Sequence, residues 1–203
     1  MCGINFKGSV LSPSKVVCIG KNYAGHIREM ESAVPDEMVV FMKPPSAIGD
    51  QLRPHAGETL HYECEICLLI VDQQIAGVGV GLDLTKRELQ GRLKKAGLPW
   101  ERSKAFDGAA LFSPFVSAPE NLAGLSLELR VDGSRRQYGG VAEMLYPPMR
   151  ILDELATFMT LETGDVVMTG TPSGVGPVVA GAHFEARLFN DGEALTEISW
   201  LAR

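Results

Sequence analysis

Glu63 and Glu65 stand two positions apart in the segment His61-Tyr62-Glu63-Cys64-Glu65, which runs directly into the apolar stretch Ile66 to Val71. Side chains on a β-strand repeat every second residue, so both carboxylates leave the same face. Set among Ile66, Leu68, Leu69 and Ile70, two like charges so placed repel and lose hydration unless something positive sits between them. A metal cation meets that need with one atom; the alternative is a pair of salt-bridged surface acids.

Other residues carry chemistry by type and spacing. In Ala76-Gly77-Val78-Gly79-Val80-Gly81-Leu82-Asp83, the branched residues share one face and the glycines, ending in Asp83, share the other. Glycine weakens a strand, so three on one side mark the close approach of another segment or a ligand. His26 and Glu29, three apart in a predicted helical turn, stack so that the carboxylate can accept the imidazole N–H. Arg87 and Gln90 have the same spacing on the helix predicted after Asp83, which Thr85 and Glu88 would cap and Gly97 would stop near Ala96.

Val16 to Ile19, Val39 to Met42, Tyr62 to Val71 and Val166 to Thr169 read as buried strands. Leu125, Leu127, Leu129 and Val131 alternate with polar residues as a half-buried strand, and Asp132-Gly133 turns it into a hairpin. Phe184 to Leu188 and Ile198 to Leu201 form a last pair around Asn190-Asp191-Gly192, and Pro148 to Met159 carries helical spacing. Many short strands with about three helices, and no βαβ rhythm, predict an α+β fold that is mainly β. The 203 residues are read as a single domain, with residues 1–15 an extension or edge strand.

A net charge of −6 with interspersed signs offers no basic stripe for nucleic acid, and no apolar run reaches membrane-spanning length. The amino terminus lacks the apolar core of a signal peptide, which makes cytoplasm the expected compartment. Cys64 and Cys67 form a Cys-x-x-Cys, yet three positions on a strand point to opposite faces and no second pair completes a zinc site. Reduced, packed thiols are expected.

Five motifs then occur in one order: Gly20-Lys21-Asn22-Tyr23-Ala24-Gly25-His26, His61 to Glu65, Leu82-Asp83-Leu84-Thr85-Lys86-Arg87, Lys104-Ala105-Phe106-Asp107-Gly108, and Thr169-Gly170-Thr171-Pro172-Ser173-Gly174-Val175-Gly176. In these the chain resembles the fumarylacetoacetate hydrolase family, most closely its short branch of acylpyruvate hydrolases and oxaloacetate decarboxylases. The resemblance implies a mixed β-sandwich roll with a few short helices. It also implies Mg²⁺ or Mn²⁺ held by Glu63, Glu65 and Asp83, and three hard oxygen donors without His or Cys suit such ions. His26 with Glu29 would activate a water, Lys104 would be the active-site lysine, and Lys43, Arg87, Gln90 and Thr171 would contact substrate. Each basic residue taken singly is equally well a solvent-facing charge, and the glycine-rich segment equally well a packing turn.

The expected activity is metal-dependent cleavage of a carbon–carbon bond in a small 2,4-dioxo acid, oxaloacetate decarboxylation, or both, through a metal-stabilised enolate. A tautomerase or isomerase of the same fold and a silent metal-binding protein are the alternatives. A homodimer is implied by the resemblance alone. In one respect the chain departs from the family: the connection between Glu65 and Asp83 is shorter by roughly ten residues, enough to remove a whole element.

Overall fold

The computed structural model describes residues 3–203. In chain order its elements are β1 (Ile4–Phe6), β2 (Ser9–Leu11), β3 (Val16–Gly20), α1 (Ala24–Glu29), β4 (Val39–Lys43), β5 (Leu60–Tyr62), β6 (Cys64–Val71) and β7 (Gln74–Asp83). Then come β8 (Thr85–Lys86), α2 (Arg87–Lys95), α3 (Glu101–Lys104), β9 (Ala110–Phe112), β10 (Val116–Ser117), β11 (Leu125–Val131) and β12 (Ser134–Gly140). The chain finishes with α4 (Pro148–Ala156), β13 (Val166–Met168), β14 (Gly176–Pro177), β15 (His183–Asn190) and β16 (Glu193–Leu201).

The large sheet runs β10-β7-β6-β13-β3-β4, with β9 also on β7, and β13 and β3 are its parallel pair. One face packs on the four-stranded sheet β12-β11-β15-β16, where Ile66, Leu68, Val80 and Leu82 meet Leu127, Leu129, Phe184 and Leu188. Its opposite face holds Val16, Cys18, Cys67 and Leu69, covered by Ile4 and Phe115. A mainly β, mixed sandwich with short helices is thus observed. Burial alternates residue by residue along β11, as its sequence pattern requires.

Cys64 and Cys67 fall into different faces of that sheet, and Cys18, Cys64 and Cys67 are free buried thiols. The glycine face of β7 is crowded as expected: a Cβ at Gly81 would sit 2.6 Å from the Leu111 carbonyl oxygen and 2.7 Å from the Phe112 ring. Residues 4–11 make their own two-stranded hairpin.

The short connection is a two-residue turn, Asp72-Gln73, both left-handed at φ 50° and 62°. Its ladder pairs Val71 with Gln74 and Ile70 with Ile75, then Leu69 with Gly77, leaving Ala76 as an extra residue, before Glu65 pairs with Gly81. Two local expectations change. The strand breaks at Glu63, between β5 and β6, because β5 leaves the large sheet to pair with β8 and β14. The cap of α2 is not Thr85, which lies in β8; the Glu58 carboxylate, from a distant loop, accepts the N–H groups of Glu88 (2.9 Å) and Leu89 (3.2 Å).

Asp165 secures the starts of β3 and β13. Its buried carboxylate accepts Ser14 N (2.8 Å), Ser14 Oγ (2.9 Å), Lys15 N (3.0 Å), Lys15 Nζ (2.6 Å) and Glu162 N (2.8 Å). Burial alone would raise its pKa, but the Lys15, Glu162 and Ser14 donors together hold it below the ordinary 3.8. Asp165→Asn is expected to cost about 3 kcal/mol in urea unfolding at neutral pH, since it leaves the half-buried Lys15 ammonium without its counter-ion and sets an NH₂ group against several N–H donors. A folded-state pKa below the unfolded one contributes stability in full above the unfolded value and loses it as pH falls through the folded value. The gap between the variant and the parent chain should therefore close in acid, below about pH 4; a constant gap would discount the ionised form.

Candidate active site

Three acidic residues at or near strand ends converge on one cleft beside the large sheet. Glu63 sits in the break between β5 and β6, Glu65 is the second residue of β6, and Asp83 ends β7. The Asp83 N–H donates to the Glu63 carbonyl at 2.8 Å, which fixes the two strand ends side by side. One carboxylate oxygen from each of Glu63, Glu65 and Asp83 lies within 4.8 Å of the others, and all three residues are buried.

Lysines come from beneath and beside. Lys104, at the end of α3, donates to Glu63 Oε2 (2.8 Å), Asp83 Oδ2 (2.6 Å) and Thr85 Oγ1 (2.6 Å). Burial works against its charge, but Asp83 and Glu63 outweigh that and raise its pKa. Lys43 is fully buried at the end of β4; its Nζ donates to the Lys104 carbonyl and lies 2.7 Å from Asp83 Oδ1. Arg87, opening α2, pairs with Glu63 and donates to Gln90 Oε1 at 2.8 Å. Burial opposes ionisation of Glu63, but Lys104 and Arg87 hold its carboxyl well below the usual range. For Glu65 the balance reverses: burial, Asp83 and Glu63 together push its pKa well up.

Gly170 N donates to Glu65 Oε2 at 2.8 Å from a left-handed backbone (φ 96°), where a Cβ would come within 2.8 Å of the Asn22 side chain. Glycine is required there by conformation and by space. Thr171 Oγ1 donates to the Cys64 carbonyl (2.8 Å) and accepts from Gln137 Nε2 (2.8 Å). On α1, His26 Nδ1 lies 3.4 Å from Glu29 Oε2, and Gly174 N donates to both Glu29 oxygens at 3.0 and 3.1 Å. Glu29 is thereby aimed at the imidazole, which itself faces the cleft.

Of the ten residues singled out from sequence, His26, Glu63, Glu65, Asp83, Arg87, Gln90, Lys104 and Thr171 line this cleft. Glu29 stands behind His26, and Lys43 lies one layer below, against Asp83. Sequence reasoning passed over Gln137, which clamps Thr171 and accepts the Cys64 N–H at 2.9 Å. Its only signal is a polar side chain at an inward position of β12. It passed over Lys21 and Lys94 as well, both on the cleft wall.

The donor set suits a hard divalent cation. It offers three carboxylate oxygens without imidazole or thiolate. Fold and site together fit an enzyme domain able to hold such an ion. Residues 15–201 match the fumarylacetoacetate hydrolase family in its C-terminal domain, and the chain belongs to that family. It is 43% identical over 212 aligned residues to the Escherichia coli oxaloacetate tautomerase YcgM, covering 95% of this chain and 96% of the relative. Human mitochondrial oxaloacetate tautomerase is 37% identical, with 84% and 85% of the two chains covered. Among solved structures, fumarylpyruvate hydrolase from Pseudomonas aeruginosa, in complex with Mn²⁺ and pyruvate, superposes with a TM-score of 0.86 at 30% identity over 100% of this chain and 97% of that one. No helix among the described residues is long and apolar enough to cross a membrane.

Proposed function

We propose that this chain draws an enolate from a small 2-keto acid, with keto–enol tautomerisation of oxaloacetate as its reaction. The observation that carries the reading is the buried convergence of Glu63, Glu65 and Asp83 within 4.8 Å, next to an imidazole that faces the same cleft. Mg²⁺ or Mn²⁺ held by those three carboxylates would supply Lewis acidity at the 2-keto oxygen. The named activity of the Escherichia coli relative and the Mn²⁺ and pyruvate of the Pseudomonas aeruginosa structure support the choice of substrate.

His26 takes the proton from carbon three and delivers it to the 2-oxygen, with the reverse transfer giving the keto form, and Glu29 keeps the ring oriented for both transfers. Arg87 and Gln90, already hydrogen-bonded to each other, position the substrate from α2. Thr171, its hydroxyl held between Cys64 and Gln137, would take the carboxylate through its backbone N–H at the other wall. Lys104 offsets the charge that develops on oxygen. The second reading, hydrolytic or decarboxylating cleavage of the bond between carbons three and four, draws on the same His26–Glu29 pair, which could deprotonate a water instead. A homodimer acting in the cytoplasm is part of this proposal.

His26→Gln should lower turnover about 100-fold while leaving Mn²⁺ affinity intact, the usual size of a general-base effect. Ultraviolet decay of enol-oxaloacetate, with and without chelator, reports tautomerisation; pyruvate release from acetylpyruvate and from oxaloacetate reports cleavage. Cation-dependent pyruvate release without enol decay would replace the first reading by the second, and unchanged rates in His26→Gln would remove the base.

A further inference from the structure

The cleft holds more positive charge than its acids use. Lys104, Lys43 and Arg87 are all committed to Glu63 or Asp83. Lys21 and Lys94 also line the wall, yet among the described residues neither makes an ion pair. Lys21 follows β3 in a left-handed conformation (φ 57°), and its Nζ donates to the Ala33 carbonyl at 3.3 Å. Lys94 rises from the last turn of α2 with its ammonium 5.7 Å from the centre of the Trp100 ring, which lines the same cleft. Partial burial and the repulsion of Lys21 and Arg87 depress the Lys94 pKa, as cations gathered without enough anions must.

We propose that Lys21 and Lys94 together receive a second carboxylate, so that this cleft selects 2-keto dicarboxylic acids over 2-keto acids with an uncharged tail. The assignment deepens the enolate-forming reading above and rests on it. The acidic floor with Arg87 and Thr171 takes the keto-acid end of the substrate. A tail carboxylate directed away from that floor then meets two ammonium groups that make no ion pair, one from the residue after β3 and one from α2. Charge-assisted hydrogen bonds in a partly desolvated site are the strong kind. The intervening wall is apolar, with Ile27, Met30, Phe41 and Trp100. A neutral acyl tail would rest there and gain nothing from the lysines, which is the contrast that makes the assignment testable.

The test compares kcat/KM for oxaloacetate and acetylpyruvate in the Mg²⁺-loaded protein, for Lys94→Gln, Lys21→Gln and the double variant. The oxaloacetate-to-acetylpyruvate ratio should fall about tenfold in each single variant and further in the double, through KM rather than kcat. Lys94→Arg should restore it, because a charge and not a shape is being read. A ratio unchanged within twofold overturns the proposal, as does a fall that arginine fails to rescue, which would mark Lys94 as a support for the helix end. Should the parent chain turn over neither substrate, the enolate reading fails by itself. Calorimetric binding of oxaloacetate against pyruvate, which lacks only the far carboxylate, then decides: the parent chain must favour oxaloacetate and the double variant must lose the preference, or the lysine assignment falls too.

Discussion

Glu65→Gln should lower turnover about 10³-fold or more and at the same time raise the melting temperature of the chain in chelator. The two effects have one origin. Glu65 is buried against Asp83 and Glu63, and its carboxyl is pushed well above the usual range by burial and by those two neighbours. Glutamine keeps the shape and an oxygen to accept the Gly170 N–H, while removing a like charge from a dry site. Relief of 1 kcal/mol is worth about 2–4 °C in a protein of this size. The cation, however, loses a charged donor, and with it several kcal/mol of charge stabilisation, each 1.36 kcal/mol being tenfold in rate. Mn²⁺ titration calorimetry and melts in chelator measure the two sides. Full activity would remove the metal centre, and a lower melting temperature would remove the electrostatic account.

Lys104→Met is expected to act in the opposite sense on stability. Lys104 Nζ is the donor shared by Glu63, Asp83 and Thr85, and removing one partner of a buried ion pair costs about 3–5 kcal/mol. The three carboxylates are then short of positive charge, so Mn²⁺ should bind the variant more tightly and recover much of the lost stability by mass action. Turnover should stay low even in saturating Mn²⁺, because the lysine's ammonium is no longer there to offset charge on the substrate. Urea unfolding with and without Mn²⁺ checks this. Failure of the ion to rescue stability would mean that the three acids do not hold it together.

Much of the convergence of the three carboxylates was legible because it obeys local periodicity. A two-residue repeat puts Glu63 and Glu65 on one face, and the alternation of Val78, Val80 and Leu82 with glycines leaves Asp83 on the glycine side. The crowding of Gly81 by Leu111 and Phe112 answers the expectation of a close neighbour. Legibility fails where a contact spans the chain. Glu58 caps α2 from thirty residues upstream, so the local Thr85 signal pointed to the wrong residue. Nothing in the spacing of Lys43 or Lys104 tells which lysine faces the cleft and which lies under Asp83, because that depends on where β4 and α3 dock. Gln137 reaches Thr171 only after the four-stranded sheet has closed over the large one.

Ala76, the unpaired residue in the β6–β7 ladder, carries a rule about how this domain can change length. From the Asp72-Gln73 turn alone, the numbering would set Glu65 opposite Val80, and Asp83 would point into the wrong layer. One surplus residue reverses the parity and sends Asp83 to the glutamate side. Shortening the ladder by an even number of residues therefore leaves Asp83 on the glutamate side with the kink in place, whereas an odd number does so only if the kink is lost.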